Sequence, residues 1–109
     1  MTAGQGFDLH PLAAQDVTDI WEYIAADSPQ AARRLREEIL AALRGLAPFP
    51  NVGHRRTDLT SRPLRFIVVR EYLIAYAPEE KPLWVVAVMH GRRNPRVMSL
   101  PNATSAGKP

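Results

Sequence analysis

Cysteine is absent from this chain of 109 residues, which excludes disulfide staples, zinc–thiolate centres and thiol nucleophiles together. Long apolar runs are missing as well. The longest, Leu83 to Met89, is the size of a strand, far short of the ~20 residues that a membrane helix needs. Met1 to Gly6 has neither a basic region nor an apolar core, so it does not read as a secretory signal. The expected compartment is the cytoplasm, with no membrane association. Lysine is scarce: of 14 basic residues only Lys81 and Lys108 are Lys, and the rest are Arg. Arginine stacks and makes bidentate bonds to phosphates and carboxylates, so the bias suits contact with a macromolecule. A GC-rich genome gives the same bias through codon usage.

The length fits one domain, and folding at this size hides roughly two-thirds of the unfolded surface. We expect that domain over residues 7–96, with a flexible arm at 1–6 and a disordered tail at 97–109. Charge is unevenly spread. Met1 to Glu38 holds seven acids and three Arg, whereas Arg44 to Arg70 holds six Arg and one Asp. Four more cations, without an acid, follow from Arg92 to the end. A partner carrying phosphate or clustered carboxylates is drawn to that basic second half.

Phe7-Asp8-Leu9-His10 alternates apolar and polar residues, as a short strand does. Pro11 then suits the first position of a helix. Val17, Ile20, Trp21 and Ile24 form one apolar stripe, opposite Asp16, Asp19 and Glu22. The helix should end near Ala26. Ser28-Pro29 caps and opens a second helix, whose buried face is Ala32, Leu35, Ile39, Ala42, Leu43 and Leu46. Arg33–Glu37 and Arg34–Glu38 are spaced for pairing along it. So short a link implies an antiparallel helical hairpin. Two prolines and Gly53 then break the helix, and residues 51–63 read as a loop with His54, Arg55, Arg56 and Arg62 exposed.

Three strand candidates follow: Leu64 to Val69, Tyr72 to Tyr76 and Leu83 to His90. Arg70-Glu71 makes a tight connection between the first two. The last strand is apolar on both faces, which predicts a central place in the sheet. The fold class is therefore α+β: an N-terminal strand, a helical hairpin and a three-strand antiparallel meander.

Most site chemistry can be set aside. The three His, at 10, 54 and 90, lack metal-ligand spacing, no glycine-rich phosphate loop is present, and no cofactor is implied. What remains is Arg with a few rings: Arg65 and Arg70 bracket one strand, Tyr72 and Tyr76 lie on the next, and His90, Arg92 and Arg93 end the last. A meander is expected to bring these ends together. Such a set can bind RNA by phosphate contact and stacking, or cleave it by acid–base chemistry. The same residues also have plain readings: Tyr72 and Tyr76 as sheet residues, His90 as a hydrogen-bonded strand end, Arg92-Arg93 as a solvated pair, and Trp21 and Trp84 as core.

Phe7 to Ala13, followed by Asp19-Ile20-Trp21-Glu22-Tyr23-Ile24, resembles the opening of RelE/ParE-type toxins from bacterial toxin–antitoxin operons. Leu43-Arg44-Gly45-Leu46 with Phe49-Pro50-Asn51-Val52-Gly53 is similar to the helix exit of that family. Arg65 with Val69 to Tyr76 resembles its central hairpin, and Val86 to Arg93 its final strand. The resemblance runs from Phe7 to about Arg96. It implies the fold just derived, a cognate antitoxin whose tail wraps the toxin, and a toxin–antitoxin hetero-oligomer.

RelE-like members cut mRNA on the ribosome with basic residues and a general acid or base near the C-terminus. ParE-like members lack that set and inhibit DNA gyrase. Here no Tyr follows Tyr76, and beyond Arg93 the only ionisable side chains are Arg96 and Lys108. The resemblance leans to the ParE side, where Arg65, Arg70, Tyr72, Arg92 and Arg93 would contact target or antitoxin and no residue is catalytic. In the nuclease alternative Arg65 and Arg92 would hold phosphate and His90 would move the proton. A toxin-like module that binds an antitoxin without harming the cell is the third reading.

Overall fold

The computed structural model describes residues 6–91. The order is β1 (Phe7–Leu9), α1 (Pro11–Ala25), α2 (Pro29–Leu46), β2 (Arg65–Val69), β3 (Tyr72–Ala77) and β4 (Leu83–His90). The expected strand, helical hairpin and meander are all present. The flexible arm at 1–6 and the disordered tail at 97–109 lie, apart from Gly6, outside the described residues.

Both helices start as their sequences dictate. Pro29 opens α2 behind Ser28, whose Oγ accepts from the Ala31 N–H at 3.1 Å. Pro11 opens α1, and His10 stands where an N-cap serine would: its Nδ1 accepts from the Leu12 N–H at 3.0 Å. The apolar stripes then meet the sheet. Val17, Ile20 and Ile24 from α1 and Leu35, Ile39, Leu43 and Leu46 from α2 pack on Phe7, Ile74, Tyr76, Leu83, Val85 and Val88. Trp21 is only half-buried. At about 100° per residue it falls on a flank of the stripe defined by Ala13, Val17, Ile20 and Ile24, and it packs beside Ala32, Arg36 and Ile39 of α2.

The four strands form one sheet in the order β1-β4-β3-β2. β2, β3 and β4 are antiparallel neighbours, while β1 lies parallel to β4, with Phe7 opposite Leu83 and Leu9 opposite Val85. The sheet is therefore mixed, a consequence of the helical hairpin carrying the chain from one edge to the other. β4 is central, and Leu83 to Met89 are all buried, as its two apolar faces require. Its alternation is offset in the middle. Ala75 faces Ala87 but Tyr76 faces Val85, so Val86 is an extra residue, a bulge. Leu83, Val85 and Val88 accordingly face the helices, and Trp84, Val86, Ala87 and Met89 face the opposite side. There Leu64, Phe66 and Leu73 join them, with Leu59 of the long loop packed alongside.

Candidate functional site

Strand register decides which of the Arg, Tyr and His residues can act together. β2 and β3 run antiparallel, so Val69 faces Tyr72 while Arg65 faces Tyr76, at the other end of the hairpin. Four residues along a strand span roughly 13 Å at ~3.3 Å per residue. β4 brings His90 opposite Tyr72. The expected convergence is thus corrected: Arg70, Tyr72 and His90 gather at one end of the sheet, and Arg65 and Tyr76 lie at the other. Arg92 and Arg93 lie outside the described residues.

The Arg65–Tyr76 end is closed. Tyr76 is fully buried, and its hydroxyl donates to the Pro50 carbonyl at 2.6 Å and accepts from the Gly53 N–H at 2.9 Å. Arg65 donates from Nη1 to the Gly53 carbonyl at 2.7 Å. His54 and Phe66 then exchange both backbone hydrogen bonds, at 2.9 and 2.8 Å. Burial raises the Tyr76 phenol above its ordinary 10.0, an effect that the Gly53 N–H and the Arg65 charge partly offset. Together these bonds stitch the exit of α2 onto the sheet. Position 53 must be glycine, because a Cβ there would meet the Tyr76 hydroxyl, with Tyr76 Cε1 at 2.8 Å and the Phe66 carbonyl oxygen at 2.9 Å.

The Arg70–Tyr72–His90 end is open. Arg70 occupies the first position of the two-residue turn between β2 and β3 with φ 56°, a left-handed conformation normally given to glycine. A fork-to-fork pair with Glu38 of α2 holds it there, Nε to Oε1 at 2.6 Å and Nη2 to Oε2 at 2.8 Å. That bond keeps the Glu38 carboxyl below its ordinary 4.5. Glu38 therefore holds the hairpin tip chiefly through Arg70, while Arg34, its neighbour by helical spacing, adds a smaller charge interaction. Tyr72 and His90 meet edge to face with ring centroids 5.7 Å apart. His90 Nε2 lies 3.5 Å from Glu71 Oε1. Burial, followed by the charges of Glu71 and Tyr23, raises the Tyr72 phenol above 10.0, so it is a neutral hydroxyl at physiological pH.

These residues form one wall of a cleft of about 450 Å³, and α1 supplies the other with Asp16, Asp19, Ile20 and Tyr23. Asp16 Oδ2 accepts from the Val88 N–H at 2.9 Å, which satisfies a β4 donor beyond the reach of short β1. Asp19 Oδ1 accepts from Gln15 Nε2 at 2.8 Å. A second cleft of about 320 Å³ adjoins the first and shares Tyr23, Glu71 and Tyr72 with it; Ile24, Ala31, Arg34, Leu35 and Arg70 complete its lining. Tyr23 stands between them with 81% of its surface exposed.

Sequence reasoning placed Asp16 and Asp19 on the solvent side of α1 and assigned Tyr23 and Glu71 to no site. One signal was present. Asp16, Ile20 and Tyr23 are spaced i, i+4, i+7, a helical row beside the apolar stripe. Among the described residues, no three His, Asp or Glu side chains are grouped to hold a metal ion.

This end is an acid-rimmed, ring-lined cleft. Comparison with known proteins agrees with the fold. The profile of a family described as the ParE toxin of type II toxin–antitoxin system, parDE, matches residues 7–95. A protein of Caulobacter vibrioides named toxin RelE2 is 35% identical over 81 residues, covering 74% of this chain and 89% of that protein. With the β-α-α-β-β-β order and a match over nearly every described residue, the chain belongs to the ParE toxin family of type II toxin–antitoxin systems.

Proposed function

We propose that this toxin acts in the cytoplasm by binding rather than by cutting. It inhibits DNA gyrase, and a cognate antitoxin neutralises it in a toxin–antitoxin hetero-oligomer. The observation that carries this reading is the acid lining around His90. Asp16, Asp19 and Glu71 share the cleft with that imidazole, and each carboxylate repels a phosphodiester at ~5 Å by roughly 1 kcal/mol in water-like surroundings. An RNA-cleaving pocket has the opposite polarity. Arg65, assigned to phosphate in the nuclease reading, instead donates to the Gly53 carbonyl. Arg70 is engaged by Glu38 but remains exposed at the hairpin tip beside Tyr72, where both can meet a protein surface.

Supercoiling by purified gyrase tests the proposal directly. Inhibition by this protein, relieved by excess antitoxin, is expected; unimpeded supercoiling at saturating toxin would overturn it.

One observation favours the ribosome-dependent endoribonuclease reading. His90 faces the Glu71 carboxylate at 3.5 Å, the pairing of an imidazole general acid or base with an orienting group. On that reading His90→Ala abolishes transcript cleavage and growth arrest while antitoxin affinity persists. On the binding reading His90→Ala remains toxic. Induction without antitoxin that leaves growth unchanged would identify an inert binding module instead.

A further inference from the structure

The two clefts beside Tyr23 differ in charge: the first is lined by carboxylates and the second brings in the cations Arg34 and Arg70. Asp16 and Asp19 rim the first, Arg34 and Arg70 rim the second, and Glu71 lies between them and lines both; Ile20 supplies apolar surface in one and Ile24 in the other. Because Tyr23, Glu71 and Tyr72 belong to both, the two clefts adjoin along one surface of the molecule. Asp16 and Ile24 are eight residue steps apart on α1, about 12 Å at 1.5 Å per residue. A ligand that satisfies both ends is therefore elongated, about two turns of helix or four residues of extended chain. An exposed tyrosine between apolar-lined pockets also has the form of an interface anchor.

We propose that these adjoining clefts receive a bipolar segment of the antitoxin, with a basic side chain at the Asp16–Asp19–Glu71 end and an acidic one at the Arg34–Arg70 end. The proposal rests on the antitoxin partnership and adds the charge order that the partner must carry. The stem of an Arg or Lys lies along Ile20, and its head reaches the carboxylates and the faces of Tyr23 and Tyr72. An acidic segment alone, the occupant that overall charge suggests, would meet repulsion over half of that surface. Arg70 is already turned toward Glu38, so exposed Arg34 supplies most of the attraction at the second end.

The test is the affinity of the protein encoded beside this gene for the intact toxin and for two charge reversals. Asp19→Lys combined with Glu71→Lys alters exposed side chains only. Asp16 is left in place because it holds the Val88 N–H. An unchanged melting temperature confirms that the variants fold. The double variant should bind at least tenfold more weakly, and Arg34→Glu severalfold more weakly. Reversing one basic residue of the antitoxin to Glu should restore binding to the double variant but not to Arg34→Glu. Affinities within twofold of the parent for both variants overturn the proposal, as does rescue of the double variant by reversal of an acidic antitoxin residue. If the parent toxin itself fails to bind the neighbouring protein, the antitoxin partnership falls first, which separates the two failures.

Discussion

The two ends of the sheet are built from similar residues and do opposite things. At one end Arg65 and Tyr76 face each other across β2 and β3, and the Arg65 guanidinium and Tyr76 hydroxyl are turned inward onto the backbone of residues 50 and 53. At the other, Arg70, Tyr72 and His90 crowd a turn that is tied to α2 by one exposed ion pair and opens onto a groove. The difference lies in what each tyrosine finds overhead. The chain leaving α2 crosses Tyr76 and covers it, whereas Tyr72 looks out between α1 and the hairpin tip. An Arg–Tyr pair is therefore no mark of a site in this fold. The open pair has recognition chemistry available, and the closed pair is used to hold a loop.

That contrast can be broken at its closed end with the largest effect. Gly53→Ala places a methyl group against Tyr76 and the Phe66 carbonyl. We expect a loss of about 3 kcal/mol, near the upper range for overpacking, seen as a fall in denaturation midpoint. Tyr76→Phe keeps the ring but strands the Gly53 N–H and the Pro50 carbonyl. Its expected cost is about 2 kcal/mol, or a melting temperature lower by roughly 10 °C.

The same tyrosine sets an alkaline limit. A folded-state phenol held above 10.0 contributes stability that is complete below pH 10.0 and is lost as pH rises through the raised value. Denaturant titrations of parent and Tyr76→Phe should therefore converge above pH 10.

At the open end the effects are smaller and concern local order. Arg70→Ala loses the Glu38 pair and keeps the unfavourable backbone, whereas Arg70→Gly loses the pair and relieves the turn. The glycine variant should melt above the alanine variant. A glycine variant that melts lower would show that the turn is not strained.

Glu38→Gln should leave global melting nearly unchanged at pH 7 but speed amide exchange in the 69–72 turn. Because Arg70 lowers the Glu38 carboxyl, its contribution is present above pH 4.5 and fades as pH falls through the lower, folded value. The difference between parent and Glu38→Gln should vanish with it.

Much of this organisation could be read in the residues. Pro11 and Pro29 marked both helix starts, the stripe from Val17 to Ile24 marked the face of α1, and the unbroken run from Leu83 to Met89 marked a central strand. The site was less legible. Arg70, Tyr72 and His90 were picked out and do converge, but Arg65 was grouped with them and stands at the far end. Bracketing a strand says that two residues are near its ends, not that those ends are near each other. The acid wall escaped notice because Asp16, Asp19 and Glu71 come from α1 and a hairpin turn more than fifty residues apart, each an ordinary surface acid in its own segment.

Local pattern and backbone chemistry, both properties of neighbouring residues, determined the elements, their order and the apolar faces that must be buried. Register, the parallel pairing of β1, the Val86 bulge and the bridge from Glu38 to Arg70 were decided only when distant segments packed together. Those choices depend on relative position in space, and a one-residue slip in β3 would exchange the environments of Tyr72 and Tyr76 with those of their neighbours. The sequence supplied the charges; the packing of α1 against the hairpin tip placed Asp16, Asp19 and Glu71 around one cleft and Arg34 and Arg70 beside the next.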